Sequence, residues 1–274
     1  MNWKVFFTRL GSAIVFCIIM MLGLLGHLYN SPFSIWVLAI LIQFLCIKEF
    51  FKLMQNIFPD AFFPAYIQWM TQIVGVLLIW GIALFNQDIA LIAIAPISLL
   101  FAGVLHKKTG LIASLTGITA LVYIGLPMAF MVKLWSISPA IPLALILMIW
   151  MNDTMAYIVG SFIGKTPFSP ISPKKTWEGT AGGAVLTVAG AAVWAHYANI
   201  DGIRSIDWMV LAACAAFAGT VGDLLESKLK RLANIKDSGN IMPGHGGALD
   251  RFDSLLAALP FAFCYVMLFM IQFS

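Results

Sequence analysis

The sequence predicts an all-α, polytopic integral membrane protein of about nine transmembrane helices, with a cytoplasmic N-terminus and an extracytoplasmic C-terminus. Three observations carry this. Of 274 residues, 61 % are hydrophobic and 10 % charged, against roughly a quarter charged in soluble domains. Mean hydropathy is +0.95, which excludes a disordered chain, a coiled coil and an ordinary cytosolic enzyme. The basic residues, finally, alternate between successive loops.

Nine apolar stretches can be marked against the length a spanning helix needs, about 20 residues. The first, 12–28, follows Lys4 and Arg9 as a signal peptide would. It ends in Gly26-His27-Leu28-Tyr29-Asn30 without a small-x-small cleavage pattern, so a retained span is expected. The second, 33–47, is short and reads either as a span with little tilt or as a tight hairpin with the first. Stretches 67–85, 89–105 and 110–132 carry no charge. Those at 139–160, 179–198 and 208–226 contain Gly, Asn, Asp or Glu, which blurs their ends, and 252–273 closes the set.

The cations check this count independently. Before the first span and in every second loop lie Lys4, Arg9, Lys48, Lys52, Lys107, Lys108, Lys165, Lys174, Lys175, Lys228, Lys230, Arg231, Lys236 and Arg251. The other loops hold Lys133 and Arg204 alone, fourteen against two. The positive-inside rule then sets the orientation. Cys17, Cys46, Cys214 and Cys264 sit inside apolar runs without C-x-x-C spacing and read as small core residues.

Polarity divides the chain. Residues 1–135 hold Glu49, Asp60 and Asp88 as their only acids, at loops or span ends, and read as scaffold helices. Residues 136–274 hold nine acids, several within or beside apolar spans. An acid at membrane depth is costly and by default marks a functional position. This half is expected to be catalytic.

Three clusters stand out there. Asp153, Ala156, Tyr157 and Gly160 share one helical face. They read either as a polar cavity wall or as a helix-packing seam of small residues. The loop Thr166–Gly179 is stiffened by three prolines and carries Ser172, Lys174, Lys175, Thr176 and Glu178 at a helix start. Hydroxyls and lysines there make an anion site, or else a plain basic loop on anionic headgroups. The third cluster runs from Asp223, Glu226, Ser227 and Lys230 through a glycine-rich loop to Asp250 and Asp253. Asp250 and Asp253 share a face and are placed to meet Asp223 where two consecutive helices come together. Oxygen ligands without cysteine or paired histidines suit a hard ion, Mg²⁺ bridging carboxylates and phosphates. Pro243-Gly244-His245-Gly246-Gly247 lets backbone amides approach a ligand closely. His245 alone reads more readily as a loop histidine bonded to a carbonyl than as a ligand-binding group.

Residues 227–253, Ser-x-Leu-Lys-Arg-x4-Lys-Asp-x-Gly-x2-Met-Pro-Gly-His-Gly-Gly-x2-Asp-Arg-x-Asp, resemble the signature of the phosphatidate cytidylyltransferase (CDP-diacylglycerol synthase) family. Asp153-Thr154-x-Ala156-Tyr157 and Ser172-Pro173-Lys174-Lys175-Thr176-x-Glu178-Gly179 resemble it as well. The one departure is Met242, where the family usually has Ile, Leu or Phe. The resemblance implies that CTP and phosphatidate give CDP-diacylglycerol and pyrophosphate, in phospholipid biosynthesis. It implies a bacterial inner membrane location, a cytoplasmic-facing site and a homodimer, with no nucleic-acid partner. By position in the motif, Asp223 and Asp250 would be the metal carboxylates; Asp153, Glu226 and Asp253 would be either further ligands or groups that support the ligands. Lys230, Arg231, Lys236 and Arg251 would serve catalysis. Lys174, Lys175, Ser172, Thr176, Ser227, His245, Gly246 and Gly247 would bind substrate. Mg²⁺ is the implied cofactor, with Mn²⁺ as a substitute and room for a second, monovalent cation.

Two other readings remain open on the residues. A CTP-dependent polyprenol or dolichol kinase would use the same nucleotide and release CDP. An ion-coupled transporter would use Asp153 and Asp223 as intramembrane carriers. The absence of a visible repeat, and polar residues gathered at one face of the membrane, weigh against transport.

Overall fold

The computed structural model describes residues 3–29, 31, 33–84, 96–103, 111–198, 200, 202–242, 244 and 246–270. Its helices are α1 (Trp3–Leu24), α2 (Phe33–Ile57), α3 (Ala65–Leu84), α4 (Leu111–Ile137), α5 (Ala140–Ile163), α6 (Trp177–Ala198), α7 (Ser205–Leu232) and α8 (Leu249–Met270). Residues 96–103 are also helical. Strands β1 (Pro167–Ser169) and β2 (Ser172–Thr176) form a short antiparallel hairpin between α5 and α6.

Among the described residues, six helices are long and apolar enough to cross a membrane: α2, α3 over Ala65–Ala83, α4, α5, α7 and α8. The protein is an all-α membrane protein. Expected span 89–105 falls mostly outside the described residues, as do Asn2, Asp88, Lys107, Lys108, His245 and Ser274. The first expected span corresponds to α1, whose apolar part is the shorter stretch Leu10–Leu24. Helix α6 occupies the seventh, but it is rich in Gly and Ala and is not among the six. The second stretch runs longer than its apolar core, to Ile57. Lys48, Glu49 and Lys52 continue the helix because no Gly or Pro interrupts it before Pro59.

The chain divides into two units: Met1–Pro139 with Leu229–Phe252, and Ala140–Lys228 with Asp253–Ser274. The segment Leu229–Phe252 thus groups with the helices read as scaffold.

In the first unit, α2 is held to α3 by polar groups that cannot reach water. Gln43 Nε2 donates to the Gln72 carbonyl at 3.2 Å, and Gln72 Nε2 donates to the Phe44 carbonyl at 3.0 Å. Such pairing is what makes buried amides tolerable. Leu78, Leu99 and Leu121 form a buried apolar cluster beside it. Helix α4 widens into a π-turn at Leu121–Gly125, where the Leu126 N–H bonds the Leu121 carbonyl. Pro127 follows directly; lacking an N–H and crowding the preceding turn, it favours this wider register.

In the second unit, α5 and α6 pack along a seam of small residues. A Cβ on Gly183 would lie 2.8 Å from the Ala156 Cβ, and one on Gly179 would lie 2.9 Å from the Gly160 Cα. The packing reading therefore describes Ala156 and Gly160, while Asp153 and Tyr157 on the same helix are exposed. Far from the acidic end of α7, buried Asp207 accepts from the Arg204 backbone N–H at 2.8 Å, from the Arg204 guanidinium and from Tyr265 Oη at 2.7 Å.

Candidate active site

Asp223, Glu226 and Asp253 each place a carboxylate oxygen within 4.8 Å of the others. Helix α7 brings the first two together by i, i+3 spacing, and α8, near its start, supplies the third. Gly222 allows the approach: a Cβ there would lie 2.5 Å from the Asp253 carbonyl oxygen and 2.6 Å from the Ala257 Cβ. Glu226 is fully buried and Asp253 nearly so. Lys175, at the end of β2, forms an ion pair with Asp223, and Ser227 Oγ donates to Asp223 Oδ1 at 3.4 Å. Clustered carboxylates with little solvent need positive charge to be tolerated. An all-oxygen donor set is what a hard divalent cation takes. The residues fit a metal. Two of the expected further ligands, Glu226 and Asp253, thus join Asp223; the exposed Asp153 is not in the group.

The loop expected before α6 is an ordered hairpin. Pro170 sits at the turn between Ser169 and Ser172, a position that suits its fixed φ. Thr176 Oγ1 accepts the Gly179 N–H at 3.1 Å and so caps α6. Glu178 accepts from Thr166 Oγ1 at 2.8 Å and from the backbone N–H groups of Thr166 and Lys165 at 3.2 Å. Hydrogen bonds from its own backbone N–H and from Thr166 lower its carboxyl pKa to about 2. Lys174 and Lys175 are presented from this frame; Lys174 is exposed and Ser172 is half-buried.

A folded-state pKa below the ordinary 4.5 means that Glu178 stabilises the fold above that pH and that the contribution fades as pH falls toward 2. Glu178→Gln is therefore expected to lower the thermal midpoint in detergent at pH 7, with the difference from wild type closing between pH 4.5 and 2. A pH-independent difference would remove the carboxylate's charge from the account.

In the first unit, the signature loop is organised around Asp250. After α7, Asn234 adopts φ 54°, and the Ile235 N–H bonds the Lys230 carbonyl at 3.0 Å, a left-handed stop that turns the chain. Met242 N–H then donates to the Gly246 carbonyl at 3.0 Å. Gly244 and Gly246 have φ of 79° and 86°, which a residue with a Cβ adopts only with strain. Asp250 Oδ2 accepts from the Ser238 N–H and the Gly247 N–H, both at 2.8 Å, and from Ser238 Oγ at 2.9 Å. Lys230 Nζ lies 2.6 Å from Asp250 Oδ1, with side chains 15 % and 6 % exposed. Arg231, Lys236 and Arg251 are exposed around this knot.

Sequence reasoning missed Glu49. Its buried carboxylate accepts from Ser238 Oγ at 2.8 Å and from the N–H groups of Ala248 and Leu249 at 3.0 and 2.9 Å. A signal was present: Ile42, Cys46, Glu49 and Leu53 follow helical spacing on one buried stripe, and an acid in such a stripe must find a partner.

The sequence model of the cytidylyltransferase family matches residues 11–269. A phosphatidate cytidylyltransferase of Bacillus subtilis is 36 % identical over 214 residues, 72 % of this chain and 78 % of that protein. The Haemophilus influenzae protein of the same name is 41 % identical over 129 residues, 46 % of this chain and 44 % of its own length. That of Pseudomonas aeruginosa is 37 % identical over 131 residues, 47 % of this chain and 48 % of its length. The last two matches thus span about half of those relatives. A membrane-embedded helical frame, a carboxylate cluster with a paired lysine and a family match over nearly the whole length lead to one assignment: the chain belongs to the cytidylyltransferase family and is a nucleotidyltransferase.

Proposed function

We propose that the protein transfers the cytidylyl group of CTP to phosphatidate, giving CDP-diacylglycerol and pyrophosphate. The observation that carries this reading is the Asp223, Glu226 and Asp253 cluster with Lys175 on Asp223. A phosphate oxygen of the lipid attacks the α-phosphorus of CTP, and the bond from that phosphorus to the bridging oxygen of pyrophosphate breaks. A phosphate monoester is already nucleophilic near neutral pH, so alignment and charge neutralisation suffice. Mg²⁺ or Mn²⁺ held by Asp223, Glu226 and Asp253 would neutralise phosphate charge in this step. Lys174 and Lys175 would pair with phosphate oxygens beside it, on a frame fixed by Thr176 and Glu178. Within the other unit, Asp250 is assigned the holding of the loop from Ser238 to Gly247, with Lys230 as its counter-charge. Exposed Arg231, Lys236 and Arg251 carry charges suited to anionic groups. A bacterial inner-membrane location, a cytoplasmic-facing site and a homodimer belong to the same proposal.

The test is purified protein with phosphatidate, Mg²⁺ and α-labelled CTP. Label in the lipid with pyrophosphate released is the expected result. CDP as the product would indicate phosphate transfer from the γ-position instead, and no CTP turnover with ion flux in liposomes would indicate a transporter.

A further inference from the structure

We propose that Glu49 is a positioning residue for the signature loop, fixing its shape and, through Ser238, the carboxylate of Asp250. The proposal rests on the cytidylyltransferase reading above and extends the working machinery into α2, a helix that the charge distribution assigns to scaffold.

The geometry is one-sided in a way that ordinary packing does not require. Both Glu49 oxygens are spent on the loop: one accepts from Ala248 N–H, the other from Leu249 N–H and Ser238 Oγ. The first two donors are amides at the start of α8, which have no partner inside their own helix and favour an anion. Glu49 thus caps, from nearly 200 residues away in sequence, the helix whose second residue is Asp250. Ser238 Oγ lies 2.8 Å from Glu49 and 2.9 Å from Asp250. One hydroxyl proton serves two carboxylates, so the placement of either depends on the other. The loop is shaped to admit Glu49. A Cβ on Gly239 or Gly247 would collide with its carboxylate, which gives those glycines a steric role. The clamped segment, Ser238 to Ile241, also forms one wall of a cavity of about 570 Å³ whose other wall carries Lys48 and Lys52. The loop therefore faces open space, where a ligand can reach it, and needs a fixed shape there.

Glu49→Gln keeps size and removes charge, and its amide group would face N–H donors. It is expected to lower kcat/KM for CTP by about 10-fold or more. Amide hydrogen exchange at Gly247, Ala248 and Leu249 should rise while exchange in α3 stays at the wild-type level. Ser238→Ala should act in the same direction, and the double variant with Glu49→Gln should cost less than the sum of the two, because they share the Ser238–Glu49 contact. Gly239→Ala, which keeps the Glu49 charge but displaces the loop, should reproduce the exchange change. Wild-type kcat/KM and wild-type exchange in Glu49→Gln would overturn the proposal. So would faster exchange throughout α3, because Glu49 would then serve general stability. Exchange is read without turnover, so it decides the clamp even if the wild-type protein fails to convert phosphatidate, a result that would instead overturn the functional reading.

Discussion

Asp223→Asn, Glu226→Gln and Asp253→Asn are each expected to lower turnover by about 10²-fold or more, roughly 2.7 kcal/mol of barrier. In the proposed site the three side chains form one donor set, so each amide would remove a ligand and a charge from the same cation. EDTA should abolish wild-type activity, and Mg²⁺ or Mn²⁺ should restore it. Stability separates this from misfolding. Without metal, the three carboxylates repel, so Glu226→Gln should unfold no earlier than wild type. Added Mg²⁺ should raise the wild-type midpoint by mass action and leave that variant nearly unmoved. Asp60→Asn, at an exposed site after α2, should stay within about twofold of wild type, as exposed substitutions usually do. Full activity after exhaustive chelation, or near wild-type turnover in all three folded variants, would remove the metal from this cluster.

Composition and the run of apolar stretches were enough for the fold class, because a membrane helix needs only length and low charge. Helix ends were harder. The second stretch looked too short because Lys48, Glu49 and Lys52 resemble a loop, yet lysine stems extend along a helix end and Glu49 finds partners in the loop. The hairpin at 167–176 was hidden by prolines that read as a stiff linker; one of them sits in its turn. The acids of α7 and α8 were legible as a group, since charge within an apolar run is expensive. Which of them converge was not legible, because that depends on Gly222 admitting the Asp253 backbone. Periodicity alone could not distinguish a polar wall from a packing seam around Ala156, and the partner glycines lie in another helix. Glu49 went unnoticed since its partners are nearly 200 positions away.

Asp250→Asn is expected to cost a similar factor, about 10²-fold, for a different reason. The Asp250 carboxylate accepts from two backbone amides and a hydroxyl and pairs with Lys230, and both side chains of that pair are largely buried. An asparagine amide would turn a donor toward these donors and leave the lysine charge uncompensated. Removing one partner of a buried pair costs on the order of 3 kcal/mol, and the loop is where that loss falls first. A variant lacking a metal ligand binds its cation more weakly, so excess Mg²⁺ should recover part of its activity. A variant with a displaced loop should not respond. The expected pattern is therefore partial recovery at high Mg²⁺ for Asp223→Asn and none for Asp250→Asn, with faster amide exchange at Ser238 and Gly247 in the latter. Recovery of Asp250→Asn by Mg²⁺ would place Asp250 on the metal, the role implied by its position in the signature.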